Sequence, residues 1–150
     1  MSKYRNRPKG DYIKEAKWQD LYRLTEQWQS NLEFQLYEIE FLERLIDNYF
    51  VKLLLHENLD ELRELQRDLY EGKNQSEKIM NRINIHLRRI LNILDGPSKL
   101  GGFAFRDEHE QLEDDVSEFI KNQRVVRFTV FKMSKEVLES EKPKFFWKYN

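Results

Sequence analysis

The chain contains no cysteine, which excludes disulfide cross-links and thiolate metal sites. Glycine and proline are scarce, 5 and 3 in 150 residues. With so few turn formers, the elements must be long and the connections few. Long apolar runs are also missing. Leu53-Leu54-Leu55 is as long as they get, far short of the ~20 residues that cross a bilayer, so no membrane span is expected. The opening MSKYRNRPKGDY is charged and lacks the apolar centre of a secretory leader, and the expected compartment is the cytoplasm. Neither sign of charge dominates: 26 Lys and Arg face 27 Asp and Glu. A net charge of −1 excludes a broadly basic nucleic-acid binder and a polyanion mimic.

What the chain does have is charge and helical periodicity. Charged residues make up 35 % against ~25 % in an average domain, and apolar residues 39 % against ~45–50 %. That balance suits long helices, each burying one stripe and wetting the rest. A first helix is expected over 13–54. Its seam is Trp18, Leu21, Thr25, Trp28, Leu32, Gln35, Ile39, Leu42, Ile46, Tyr49 and Leu53, in alternating steps of three and four, the period of a helix packed along its length.

A second helix is expected over 58–94, with Leu62, Leu69, Met80, Ile83, Leu87, Ile90 and Leu94 in register. Gln66, Lys73 and Ser76 fall on the same line. The apolar signal fails around Gly72, and Asn74 with Glu77 offers a capping box for a fresh start. A break there competes with a continuous helix, and continuity is preferred because it matches the first helix in length. The stretch 95–102 holds three of the five glycines and Pro97 and reads as a turn. A third helix is expected over 106–139 on His109, Leu112, Val116, Phe119, Gln123, Val126, Val130, Met133 and Val137. Residues 125–131 are rich in strand formers but have no neighbouring strand to pair with.

Charge sets the directions. Residues 107–118 carry seven acids and no base, and 121–135 carry five bases and no acid. The second helix likewise starts acidic and ends basic. Acid early and base late suits the helix dipole, and antiparallel neighbours then meet with opposite signs. The predicted fold is all-α: an elongated, antiparallel, up-down-up three-helix bundle with coiled-coil-like packing over 13–140. A basic N-terminal arm (1–12) and an aromatic, basic tail (141–150), cut off by Pro143, flank it.

No catalytic or metal site is expected. Di-iron bundle sites place a Glu three residues before each His, but Leu53, Ile83 and Arg106 precede His56, His86 and His109. His86 and His109 are each read as hydrogen-bonded core histidines, with pH sensing as the alternative. The 96–102 loop spaces its glycines as a phosphate-binding loop does, but Gly102-Phe103 stands where Lys-Ser/Thr is needed. No cofactor is implied.

Two features exceed what a bundle needs. Phe34, Tyr37 and Phe41, with Phe50 nearby, add apolar surface to the first helix away from its seam. They are either buried under the same chain or a surface for self-association or a partner protein. The tail carries Phe145, Phe146, Trp147 and Tyr149 among lysines; it either folds back over that stripe or docks elsewhere. The expected function is therefore non-enzymatic protein–protein contact, including self-association. The alternative is a nucleic-acid-associated protein using Lys3, Arg5, Arg7, Lys9, Arg124, Arg127 and the tail, and a helical enzyme or metal protein stands third.

Overall fold

A computed structural model describes residues 16–95 and 102–149, with side chains over 16–94 and 104–140. Three helices make up the fold: α1 (Trp18–Leu53), α2 (Leu59–Asp95) and α3 (Gly102–Tyr149). At ~1.5 Å per residue, each runs for more than 50 Å. The α1–α2 connection is short. The carbonyls of Phe50, Lys52 and Leu53 accept the last turns' N–H groups, and the Asn58 side chain caps α2 by accepting the Asp60 N–H at 2.7 Å.

Side-chain partners show the directions of the helices. From α2 to α3 the sequence separation widens from 19 (Arg89–Glu108) to 23 (His86–His109) to 33 (Arg82–Asp115), as it must when a chain doubles back. From α1 to α2 it widens from 19 (Gln66–Asp47) to 55 (Gln29–Asn84). Between α1 and α3 it stays near constant, 90 for Arg106–Ala16 and 89 for Arg127–Glu38. The first pairs are antiparallel and the last is parallel, so the bundle runs up, down, up. Arg82–Asp115 and Arg89–Glu108 are the opposite-charge contacts expected from the acid-to-base gradients, at 2.8 and 2.7 Å.

The core runs the length of the bundle. Every seam position expected in α1 is buried except Trp18 and Tyr49. Tyr49 leaves the seam because its backbone (φ −109, ψ 15) departs from helical values and kinks the helix one turn before its end. In α3 only Val126 of the expected seam is less than buried, and residues 125–131 are helical. α2 needs a correction. It is continuous through Gly72, but its unbroken buried line is Leu62, Leu65, Leu69, Gly72, Ser76, Ile79, Ile83, His86 and Ile90; of the other expected positions Leu87 is buried beside that line, Met80 is half-buried and Leu94 exposed. The period of threes and fours is unbroken once a glycine, a serine and a histidine are allowed on the core line.

The glycine has a packing reason. A Cβ at Gly72 would collide with the Gln123 amide, whose Cδ would lie 3.0 Å away, so α3's buried Gln123 fills the notch that the missing side chain leaves.

A second correction concerns Pro143, expected to end the third helix. The helical backbone continues through it to Tyr149. Proline removes one hydrogen bond, to the Glu139 carbonyl, but the many turns already formed upstream have met the cost of nucleation. The aromatic tail is thus the last turns of α3 rather than a chain folding back. The side chains of Phe145, Phe146, Trp147 and Tyr149 lie outside the described residues, as do Lys3, Arg5, Arg7 and Lys9.

Candidate functional site

Two places depart from an ordinary bundle: the outward face of α1 and α3, and a polar pair inside the core.

The face begins with the α1 aromatics. Phe34, Tyr37 and Phe41 follow each other by three and four residues, so they share one side of the helix. They are 61 %, 73 % and 51 % exposed. Among the described residues, none of the three is buried. Phe50 separates from it, half-buried against the core with the Arg63 guanidinium 5.0 Å from its ring centre.

Alongside the stripe runs α3. One guanidinium nitrogen of Arg127 donates to both carboxylate oxygens of Glu38 at 3.0 and 3.1 Å, an ion pair half-shielded from water. Glu38 lies one turn after Phe34 and three residues before Phe41. Arg127 lies one turn before Phe131, which is 49 % exposed. Farther along, Leu45, Tyr49 and Leu53 of α1 and Ser134, Val137 and Leu138 of α3 line a cavity of ≈ 90 Å³. That is well below the ~300–1,000 Å³ of a cofactor pocket. Together these residues form an apolar strip on the parallel α1–α3 pair, crossed by one ion pair.

Sequence reading missed the α3 half of this face. Phe128, Phe131 and Leu138 lie off the α3 seam and are exposed. The signal was present, since Phe128 and Phe131 were noticed only as strand formers; at helical period they point away from Val126 and Val130. Of the basic residues of the nucleic-acid alternative, Arg124 and Arg127 have described side chains, three residues apart on α3. Arg127 is committed to Glu38, Arg124 is exposed on the same helix, and the arm lies outside the described residues.

The second place is buried. His86 of α2 and His109 of α3 are 1 % and 0 % exposed, and the Nε2 of one meets the Nδ1 of the other at 2.7 Å. The two core histidines read separately from the sequence are one pair. Phe105 stacks on His86 with ring centres 4.3 Å apart, and Trp28 lies 4.7 Å from His109. One proton occupies the short N···N contact, so one ring donates and the other accepts. The His86 Nδ1 has no hydrogen-bond partner among the described residues. Burial, and then the positive charges of Arg89 and Arg82, lower the His86 pKa from 6.5 to about 4. At neutral pH this ring is uncharged and behaves as a flat, polar core side chain. Among the described residues no group of three or more His, Cys, Asp or Glu could hold a metal ion, and no helix is long and apolar enough to cross a membrane.

No protein-family model, curated protein or solved structure matches the chain.

Proposed function

We propose that this protein is a non-enzymatic helical bundle that works through protein–protein contacts, its own copies first among them, and that the outward α1–α3 face makes those contacts. The observation that carries this reading is the exposure of Phe34, Tyr37 and Phe41 beside Phe131 and Leu138. Aromatic residues dominate interface energetics, and a contiguous apolar strip of this kind on a helical surface marks a contact site. The ion pair at its centre gives the strip a polar reference point without breaking its apolar character.

Light scattering from micromolar to several hundred micromolar concentration tests it, comparing the native chain with Phe34→Glu/Phe41→Glu. The native chain should associate and the variant should stay monomeric. The variant's monomer melting should be nearly unchanged, since exposed substitutions cost within about 0.5 kcal/mol. Ile39→Ala, a core control two residues away, should cost about 2–5 kcal/mol. A native chain that stays monomeric across that range, with Phe34→Glu/Phe41→Glu behaving identically, would remove the reading.

A further inference from the structure

The preceding proposal names a face; charge and register go on to set how two copies meet on it. With the constant α1–α3 offset of 89 residues, α1 residues 30–43 lie level with α3 residues 119–132. The α1 segment contains Glu33, Glu38, Glu40 and Glu43 and no base, while the α3 segment contains Lys121, Arg124, Arg127 and Lys132 and no acid. The face therefore has an acidic wall, with Glu33 and Glu38 beside the aromatic stripe, and a basic wall at the same height, while Glu43 turns away from it toward α2. Within one chain Glu38 is used by Arg127, and Glu43 lies 3.9 Å from Lys73. Glu33 and Lys121 are exposed and pair with nothing among the described residues.

Two copies joined on this face are related by a two-fold axis that runs either across the helices or along them. An axis across the helices lays α1 on α1 and α3 on α3, antiparallel, so acid meets acid and base meets base. An axis along the helices lays α1 of each copy on α3 of the other, parallel and at unchanged height. Only the second sets each acidic wall against a basic one. It also packs Phe34, Tyr37 and Phe41 of one copy against Phe128 and Phe131 of the other.

We infer that the chain forms a parallel two-fold dimer in which α1 of each copy packs on α3 of its partner, with Glu33 facing the partner's Lys121 at the same height on both sides of the symmetry axis. This rests on the self-association reading above. The two charges flank the aromatic strip as flanking residues do in paired helices, where they select orientation and partner more than they add affinity.

Sedimentation equilibrium at low salt tests the orientation. Glu33→Lys should weaken the dimer roughly three- to tenfold, because two symmetric attractions become repulsions. The double variant Glu33→Lys/Lys121→Glu should return close to native affinity. Because the chain lacks cysteine, cross-linking gives a second readout: a Ser30→Cys chain mixed with a Lys121→Cys chain should form the mixed disulfide in preference to either self-disulfide. A tighter dimer for Glu33→Lys would show acid facing acid in the native pair; it would overturn the orientation and leave self-association standing. Loss of the mixed disulfide in a chain that still dimerises would do the same. A native chain that never dimerises would overturn the underlying reading instead.

Discussion

Lowering the pH from 7 to 5 should cost this fold about 2 kcal/mol through His86 alone, and the sign and size follow from the buried pair. The folded ring has its pKa lowered to about 4 from 6.5. Between those two values the unfolded chain holds a proton on His86 that the folded chain refuses. Stability is therefore fully present above about pH 6.5, falls as the pH drops through the window, and levels off below about 4. The complete loss is about 3 kcal/mol, each pKa unit being worth about 1.4 kcal/mol.

Chemically, charging His86 puts N–H groups on both ring nitrogens: the one on Nδ1 has no acceptor among the described residues, and the one on Nε2 needs His109 Nδ1 to accept it across the 2.7 Å contact. The charges that act on His86 are Arg89 and Arg82 of its own helix, and Glu108 of α3 binds Arg89. From α1 the pair meets the ring of Trp28. At pH 5 carboxylates of ordinary pKa are still ionised, which makes that pH the informative one. Urea denaturation of the native chain at both pH values should show the loss, with a drop of ~4–8 °C in melting temperature. His86→Gln keeps a side-chain N–H for His109 and cannot titrate, so its stability should change far less between the same two pH values. An equal loss in His86→Gln would refute the assignment to His86, and so would a His86 ring signal that titrates near pH 6.5 by NMR.

Three further outcomes are expected. Gly72→Ala should destabilise by about 1–2 kcal/mol, because the new Cβ displaces a buried amide; against Gln123→Ala the same change should instead gain up to about 1 kcal/mol of helix propensity, and thermal melts of the four chains give the sign. Glu57→Gln should raise the melting temperature at pH 7: burial, a hydrogen bond that its protonated carboxyl donates to Glu136, and the Glu136 charge raise the Glu57 pKa, so ionising it costs the folded state stability, and the gain should vanish as the pH falls toward carboxylate values. Arg89→Ala should cost under about 1 kcal/mol, since the Arg89–Glu108 pair is half-exposed on both sides, and most of that loss should disappear at high salt.

The fold was legible because most of the seam uses large apolar side chains at an unbroken period. Leu21, Leu32, Ile39, Leu42 and Ile46 in α1, and Leu112, Val116, Phe119 and Val130 in α3, could be placed from spacing alone. In α2 the same rule misled, because Gly72, Ser76 and His86 occupy core positions that composition alone assigns to turns and surfaces. Glycine reads as a breaker until the facing residue, Gln123, is known. Pro143 misled in the opposite direction, since local rules weigh one lost hydrogen bond without the length of helix already formed. The histidine pair depended on inter-helix register, which single-helix periodicity does not contain. It could have been found by folding the chain about the 95–102 turn, where residues 86 and 109 stand almost equally far from the middle.

The exposed face shows why function was harder to read than fold. Phe34 and Phe41 follow a helical period as regular as that of Leu32 and Ile39, and no propensity separates an aromatic that packs inside from one that waits for a partner. The difference lies in the number of neighbours: three helices offer α1 two flanks, and its core stripe uses both. The second stripe would find internal partners only in a bundle with a fourth helix beside α1 and α3. In the proposed parallel dimer, α3 of the second copy would take that place against α1, and by symmetry α1 of the second copy would take it against α3. On that proposal, surplus apolar periodicity on a helix with both flanks occupied counts missing neighbours, one helix for each half of the face.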